Sequence, residues 1–278
     1  MKKTTMMIVA TALVMALPII TPAQDNNRST PNDASTTAET SYWNENFSVT
    51  AGLKIWRATN SFKTVGGDDI ETTSNMYGPS VNLTMFDKFY TGLSFYSGSG
   101  FDYTVEETNE DTGQDLKYNY KGKKEDLDIW MGYRFHPRAS VFLGYKSTKF
   151  RQTIDVESYE ISDAESTYSG PVVGLAGNYP IMESGFILFG TVGYAFLDYE
   201  VKGEKLVINE YDNLEIQSYK NEGKLRGPAI ECGVSYIFRK IPQLSLSGGY
   251  KHQSYEDPDD SDNYEKFDGL TFGANYRF

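Results

Sequence analysis

The chain has one cysteine, Cys232, so no disulfide forms within it and stability has to come from other bonds. Beyond its first two dozen residues it has no apolar run near the ~20 residues that a membrane-spanning helix needs. Positive charge is also scarce. There are 26 Lys and Arg against 38 Asp and Glu, a formal charge of -12, and such a balance argues against nucleic acid, which rewards clustered cations. Mean hydropathy is low at -0.48. That excludes a helical membrane protein but not one that crosses with strands, because a barrel strand needs an apolar residue only at every second position.

What the chain does have begins with a tripartite export signal. Lys2 and Lys3 form a positive start, Met6 to Ile20 an apolar stretch, and Thr21-Pro22-Ala23 a small-residue cleavage site, so residues 1–23 read as a removable signal peptide. Removing it takes two lysines and moves the mature charge to -14. Residues 24–42 are rich in Asn, Ser, Thr, Asp and Ala, and read as a flexible periplasmic lead-in. The domain itself is expected over 43–278.

From Trp43 onward, alternating apolar and polar runs are separated by connections of two kinds. The short ones are Phe86-Asp-Lys88, His136-Pro-Arg138, Glu183-Ser-Gly185 and Lys240-Ile-Pro-Gln243. The long ones are 60–75, 102–123, 156–166, 202–223 and 257–264. They alternate strictly, which predicts strands near 47–59, 76–86, 89–101, 125–135, 139–155, 167–181, 185–200, 225–239, 243–256 and 265–278. The expected fold is all-β: a ten-stranded antiparallel up-and-down transmembrane barrel with short turns in the periplasm, long acidic loops outside and both ends inside.

Parity assigns the faces. In the last strand Leu270, Phe272, Ala274, Tyr276 and Phe278 share one side, which must face lipid. The same division holds for Val49, Leu53 and Ile55, and for Leu127, Ile129, Met131 and Tyr133; only 185–200 is apolar on both faces. Three descending strands open alike, with Gly78-Pro79, Gly170-Pro171 and Gly227-Pro228, as duplicated hairpins would. Each Pro falls on the lipid side near the outer rim, where a lost ladder donor costs little or marks a bulge.

Inward parity collects Lys54, Trp56, Asn82, Asp126, Asp128, Trp130, Arg134, Lys146, Asn178, Glu231, Lys251 and Arg277. Eight strands leave a bore that side chains just fill, and open aqueous channels take about 16–18. Lys54, Asp128, Arg134, Lys146, Glu231, Lys251 and Arg277 are therefore expected to form a neutralised plug, with a narrow solute filter as the alternative.

The signal, the alternation and the ending Gly269-Leu-Thr-Phe-Gly-Ala-Asn-Tyr-Arg-Phe278 resemble the small, porin-like outer membrane β-barrel proteins of Gram-negative bacteria. That resemblance implies residence in the cell outer membrane, contact with its lipids and lipopolysaccharide, and partners in the β-barrel assembly machinery and periplasmic chaperones. It also makes Tyr276 and Phe278 the assembly signal. A monomer is expected, with no cofactor, no metal and no nucleic acid.

Two enzyme families use barrels of this size. Omptin-like proteases carry an Asp pair and an Asp-His couple at the outer rim, and no matching Asp pair is present here. The last hairpin locally resembles outer membrane lipid A deacylases, which carry His-x-Ser on the penultimate strand and a carboxylate on the last. Here His252, Ser254 and Asp268 share the lipid face at one height, the arrangement that a base, nucleophile and orienting carboxylate need to reach an acyl ester alongside. Tyr255-Glu256 stands where that family has its oxyanion residues. The acidic segment Asp257-Pro-Asp-Asp260-Ser-Asp262 lacks the Gly and final acidic spacing of a calcium loop. The sequence as a whole is read as a non-enzymatic barrel with a structural, surface-contact or narrow-pore role, and a small-solute channel and an outer-leaflet acyl hydrolase are its rivals.

Overall fold

The computed structural model describes residues 46–63, 69–108, 115–156, 159–208, 214–258 and 260–278. The signal peptide and the whole of the lead-in, 24–42, lie outside these residues. The strands are β1 (Phe47–Lys63), β2 (Asp69–Met85), β3 (Phe89–Ser99), β4 (Tyr103–Thr108), β5 (Asp115–His136), β6 (Ala139–Val156), β7 (Tyr159–Pro180), β8 (Phe186–Ile208), β9 (Leu214–Phe238), β10 (Ile241–Asp257) and β11 (Asp260–Arg277). Apart from β3 and β4, which both pair with β5 and not with each other, sequence neighbours pair antiparallel, and β11 returns to β1. β4 thus continues β3 after a break at Gly100, whose φ of +94° favours a residue without a side chain. The ring closes with ten positions in its wall.

The lipid belt follows the predicted parity. Leu53, Met131, Leu175 and Phe272 are 68%, 61%, 58% and 53% exposed on the outside, whereas the alternate positions Trp56, Trp130 and Thr271 are buried. The strand that is apolar on both faces divides in the same way: Leu188, Val192, Tyr194 and Phe196 point out, and Ile187, Ala195, Leu197 and Tyr199 point in. Its inner residues join Tyr168, Val172, Val201, Leu225 and Ala229 in an apolar cluster that fills one side of the bore.

One expectation is corrected, and one that left two alternatives is narrowed. The long connections are mostly strand, since β5, β7, β8 and β9 run 22, 22, 23 and 25 residues and rise well above the apolar belt. Their outward side chains there are charged and pair across strands: Lys121 with Asp155 at 2.6 Å, Arg151 and Lys149 with Glu165 at 3.0 and 2.6 Å, and Lys220 with Glu200 at 2.7 Å. High charge marks water outside the wall, not a loop. The Gly-Pro sites are not bulges, because the register on either side is unshifted. At Gly78, Gly170 and Gly227 the carbonyls of Phe95, Phe196 and Ser254 press so close that a Cβ would lie within 1.6–1.9 Å of them. The repeat therefore preserves a close backbone crossing beside a prolyl gap in the ladder.

Candidate functional site

The bore is blocked at mid-height by side chains from opposite walls. β5 turns Lys124, Asp126 and Asp128 inward, and β6 sets Lys146 against them. Lys124 Nζ lies 2.5 Å from Asp126 Oδ2, and Lys146 Nζ lies 3.6 Å from Asp126 Oδ1 and 3.4 Å from Asp128 Oδ1. Across the bore, Lys251 of β10 faces Glu231 of β9 in register. No ion pair joins them among the described residues; the ammonium instead sits 4.8 Å from the Trp56 ring centroid. Lys124 lies 4.8 Å from the Phe267 ring and 5.4 Å from that of Trp56, so these cations combine carboxylate and aromatic contacts. Glu231 accepts a hydrogen bond of 3.4 Å from the Thr271 hydroxyl. Trp56, Tyr96, Lys124, Lys146, Lys251, Met76 and Gln253 are all below 2% exposed.

Lys54, half-buried below Trp56, belongs to the same set, its ammonium within electrostatic reach of Glu231 and Asp128. Arg134, half-buried near the β5–β6 turn, and Arg277, exposed at the periplasmic end of β11, are more peripheral. Lys124 and Glu265 belong to the buried set, yet sequence reasoning missed them because it began their strands at 125 and 265, placing one outside its strand and the other at a strand end. A parity count carried two residues further up each strand would have found both.

The second cluster sits on the outside of the last hairpin. His252 pairs in register with Asp268, and the imidazole Nδ1 lies 2.5 Å from Asp268 Oδ1. Lys266 Nζ holds the other carboxylate oxygen at 3.0 Å. Ser254 shares this face, opposite Lys266, but makes no hydrogen bond to the imidazole among the described residues. A His-Asp couple is therefore built, and the hydroxyl two residues on is not engaged with it. At the chain end Phe278 donates its backbone N–H to Val49 O at 2.8 Å, and its ring packs 5.0 Å from that of Tyr276 on the lipid face.

The outer membrane protein beta-barrel domain family matches residues 111–278, more than half of the chain. No curated protein sequence matches significantly. Among solved structures, the outer membrane protease OmpT of Escherichia coli is similar at 12% identity, with 84% of this chain and 97% of that one covered and a TM-score of 0.51. Ail, the attachment invasion locus protein of Yersinia pestis, is similar at 13% identity over 82% of this chain and 98% of that one, with a TM-score of 0.35. The toluene transporter TodX of Pseudomonas putida is similar at 8% identity over 87% and 92%, also with a TM-score of 0.35. At such identities the likeness concerns the fold alone.

Proposed function

The chain belongs to the outer membrane protein β-barrel domain family, and from that premise we propose that this barrel is closed to solutes and works through its tall, ion-paired outer wall rather than through its bore. The observation that supports it most is the filled cross-section: Trp56, Met76, Tyr96, Lys124, Lys146 and Lys251 meet there essentially without exposure. An ion traversing the bore would have to displace several of them at once. Buried charges of both signs hold one another, so the plug belongs to the fold rather than to a gate. Outer-leaflet lipid and lipopolysaccharide surround the belt, and Tyr276 and Phe278 address the chain to the assembly machinery. The test is conductance of the purified barrel in a planar bilayer. Silence is expected; steady ion current would overturn the closed reading in favour of a small-solute channel.

One observation favours a second reading, an outer-leaflet acyl hydrolase: the His252–Asp268 couple on the lipid face beside Ser254. In that chemistry the Ser254 hydroxyl adds to the ester carbonyl and gives its proton to Nε2 of the imidazole, whose Nδ1–H Asp268 holds in place; the imidazolium returns that proton to the departing alcohol oxygen as the ester C–O bond breaks, and water then cleaves the acyl-serine to release the fatty acid. Mass spectrometry of lipid A decides it. Loss of one acyl chain on expression, abolished by Ser254→Ala, would establish the hydrolase, and an unchanged pattern from a correctly inserted barrel would remove it.

A further inference from the structure

We propose that the outer face of β4, β5 and β6 carries a pocket for the uncharged sugars of a lipopolysaccharide molecule anchored beside the barrel. The inference rests on the outer-wall reading above and names that wall's partner. A cavity of about 480 Å³ opens there, lined by Asp102, Thr104, Asn119, Lys121 and Asp155, with Tyr103 and Tyr120 behind them. Small-molecule sites span ~300–1,000 Å³, so the space suits a sugar or two.

The break at Gly100 builds this pocket. Beyond it the chain re-enters the wall as β4, and register sets Thr104, Asn119 and Asp155 side by side across three strands. Asp102, just ahead of β4, is fixed from two sides: its Oδ1 accepts the Gly122 N–H at 3.1 Å, and its carbonyl accepts the Thr72 hydroxyl at 3.1 Å. Thr104 donates to Asn119 Oδ1 at 3.0 Å, and Lys121 Nζ lies 2.6 Å from Asp155 Oδ2. Parity turns these side chains outward and turns Tyr103 and Tyr120 inward. The two rings stack with centroids 4.3 Å apart, and Gln152 Nε2 donates to the Tyr103 hydroxyl at 2.9 Å. A stiff floor backs a polar mouth.

Chemistry and height select the occupant. Asp102 and Asp155 repel a bare anion, and both already hold donors, so a metal ion would have to displace the Lys121 ammonium and a backbone amide. The mouth interleaves donors and acceptors: the Asn119 amide and the Lys121 ammonium stand beside two carboxylates and the Thr104 hydroxyl. Sugar hydroxyls both donate and accept, and match such a mixture. Lys121 stands six residues above Leu127, the last apolar residue on the lipid face of β5. At ~3.3 Å per residue and a strand tilt of ~40°, that is about 15 Å above the belt. Between them lie Lys123, Lys149 and Arg151, which pair with only two carboxylates, Glu125 and Glu165. Going outward, β5 and β6 therefore present an apolar, then a cationic, then a sugar-compatible surface. A lipopolysaccharide presents acyl chains, phosphates and sugars in that order, and the pocket opens sideways toward it.

The test titrates the purified, folded barrel in detergent with two probes, lipopolysaccharide carrying a complete core and lipid A alone, which has the phosphates and acyl chains without the core sugars. The complete molecule should bind tighter by about tenfold, the worth of one or two hydrogen bonds. Asn119→Leu should bring it down to the lipid A level and leave lipid A affinity as in the parent. Amine labelling of the unmodified barrel gives a reading independent of that variant's folding: the complete molecule should protect Lys121, lipid A should not, and Lys220 on β9 should label with either. Equal affinities, an Asn119→Leu barrel that still prefers the complete molecule, or Lys121 labelling equally with both probes would overturn the sugar site. A variant that loses lipid A as well has misfolded, and the labelling then decides. Steady ion current in a planar bilayer would remove the closed reading without touching this affinity difference, so the two failures are distinguishable.

Discussion

Replacing Lys146 with Met tests whether the plug behaves as a buried ion network. Lys146 is fully buried, with its ammonium 3.4 Å from Asp128 and 3.6 Å from Asp126. At 3.4 Å and an effective dielectric of ~20, one such attraction is about 5 kcal/mol. Asp126 keeps Lys124 at 2.5 Å, and Asp128, left with the more distant Lys251 and Lys54, loses its closest ion pair. Breaking a buried pair from one side costs ~3–5 kcal/mol, mostly because a charge is left in a poor solvent. Lys146→Met should therefore lower unfolding stability by about that amount, measured by urea denaturation in micelles with tryptophan fluorescence. The double variant Lys146→Met with Asp128→Leu removes both charges and should recover most of the loss, since replacing a buried pair by apolar residues is often neutral. A single variant within ~1 kcal/mol of the parent would refute the reasoning, because only solvated pairs are worth so little. The bore would then be an aqueous lining.

Three further outcomes are expected. With Cys232 replaced by Ser, cysteines at Lys121 or Lys220 should react with an impermeant reagent on intact cells and one at Arg138 should not; labelling of Arg138 alone would invert the topology. In the outer wall, hydrogen bonds from Lys202 and Lys220 hold the Glu200 carboxyl down at about 2, below its ordinary 4.5. A depressed carboxyl contributes stability above its unfolded pKa and loses it as pH falls. Protease resistance of the β8–β9 hairpin should thus decline from about pH 4.5 to about 2; if Glu200→Gln shows the same decline, another group is responsible. Finally, Phe278→Ala should leave the purified chain able to refold in detergent but reduce its outer membrane yield in cells, and normal yield would remove the terminal aromatic as an assembly signal.

How much of this was legible in sequence depended on which side of the membrane surface a residue lies. Within the belt, lipid demands an apolar side chain at every second position, so Leu270 to Phe278 and Leu127 to Tyr133 declare strand, face and register directly. Above the belt the outer face meets water, and Lys121, Arg151 or Glu200 suits an exposed strand as well as a loop. The alternation fades there while the ladder continues. The plug was half legible. Asp128 and Lys146 pair across β5 and β6 at an inward position fixed by parity. Lys251 resting on Trp56 rather than bridging to Glu231 depends on rotamers and on the ring's position across the bore, which no pattern encodes.

Above the lipid belt the wall also ceases to be a complete cylinder, and this bears on what the outer surface can do. β9 pairs with β10 only up to Arg226, so among the described residues its upper part, Leu214–Leu225, has a partner on the β8 side alone. Among the described residues, β2 pairs with β3 only from Tyr77 downward, and β4 pairs only with β5. Two side-chain bonds cross the β2 seam, Thr72 Oγ1 to Asp102 O at 3.1 Å and Ser74 Oγ to Ser99 O at 2.5 Å. Among the described residues the outer wall is therefore a tall curved sheet from β4 to β9 whose two edge strands have no further ladder partner, standing beside a lower side made of β10, β11, β1 and β2. Open edges invite pairing with other chains unless charge guards them. Lys220, Glu222 and Lys224 alternate along the β9 edge on its outward face, and Glu106 with Lys117 flanks β4. Neutralising Lys220, Glu222 and Lys224 together should raise self-association of the purified barrel in detergent, over and above the small loss of stability that follows from breaking the Lys220–Glu200 pair. If light scattering shows no new oligomer, the edge is protected by its twist or by the β8–β9 connection, and the charges serve a different purpose.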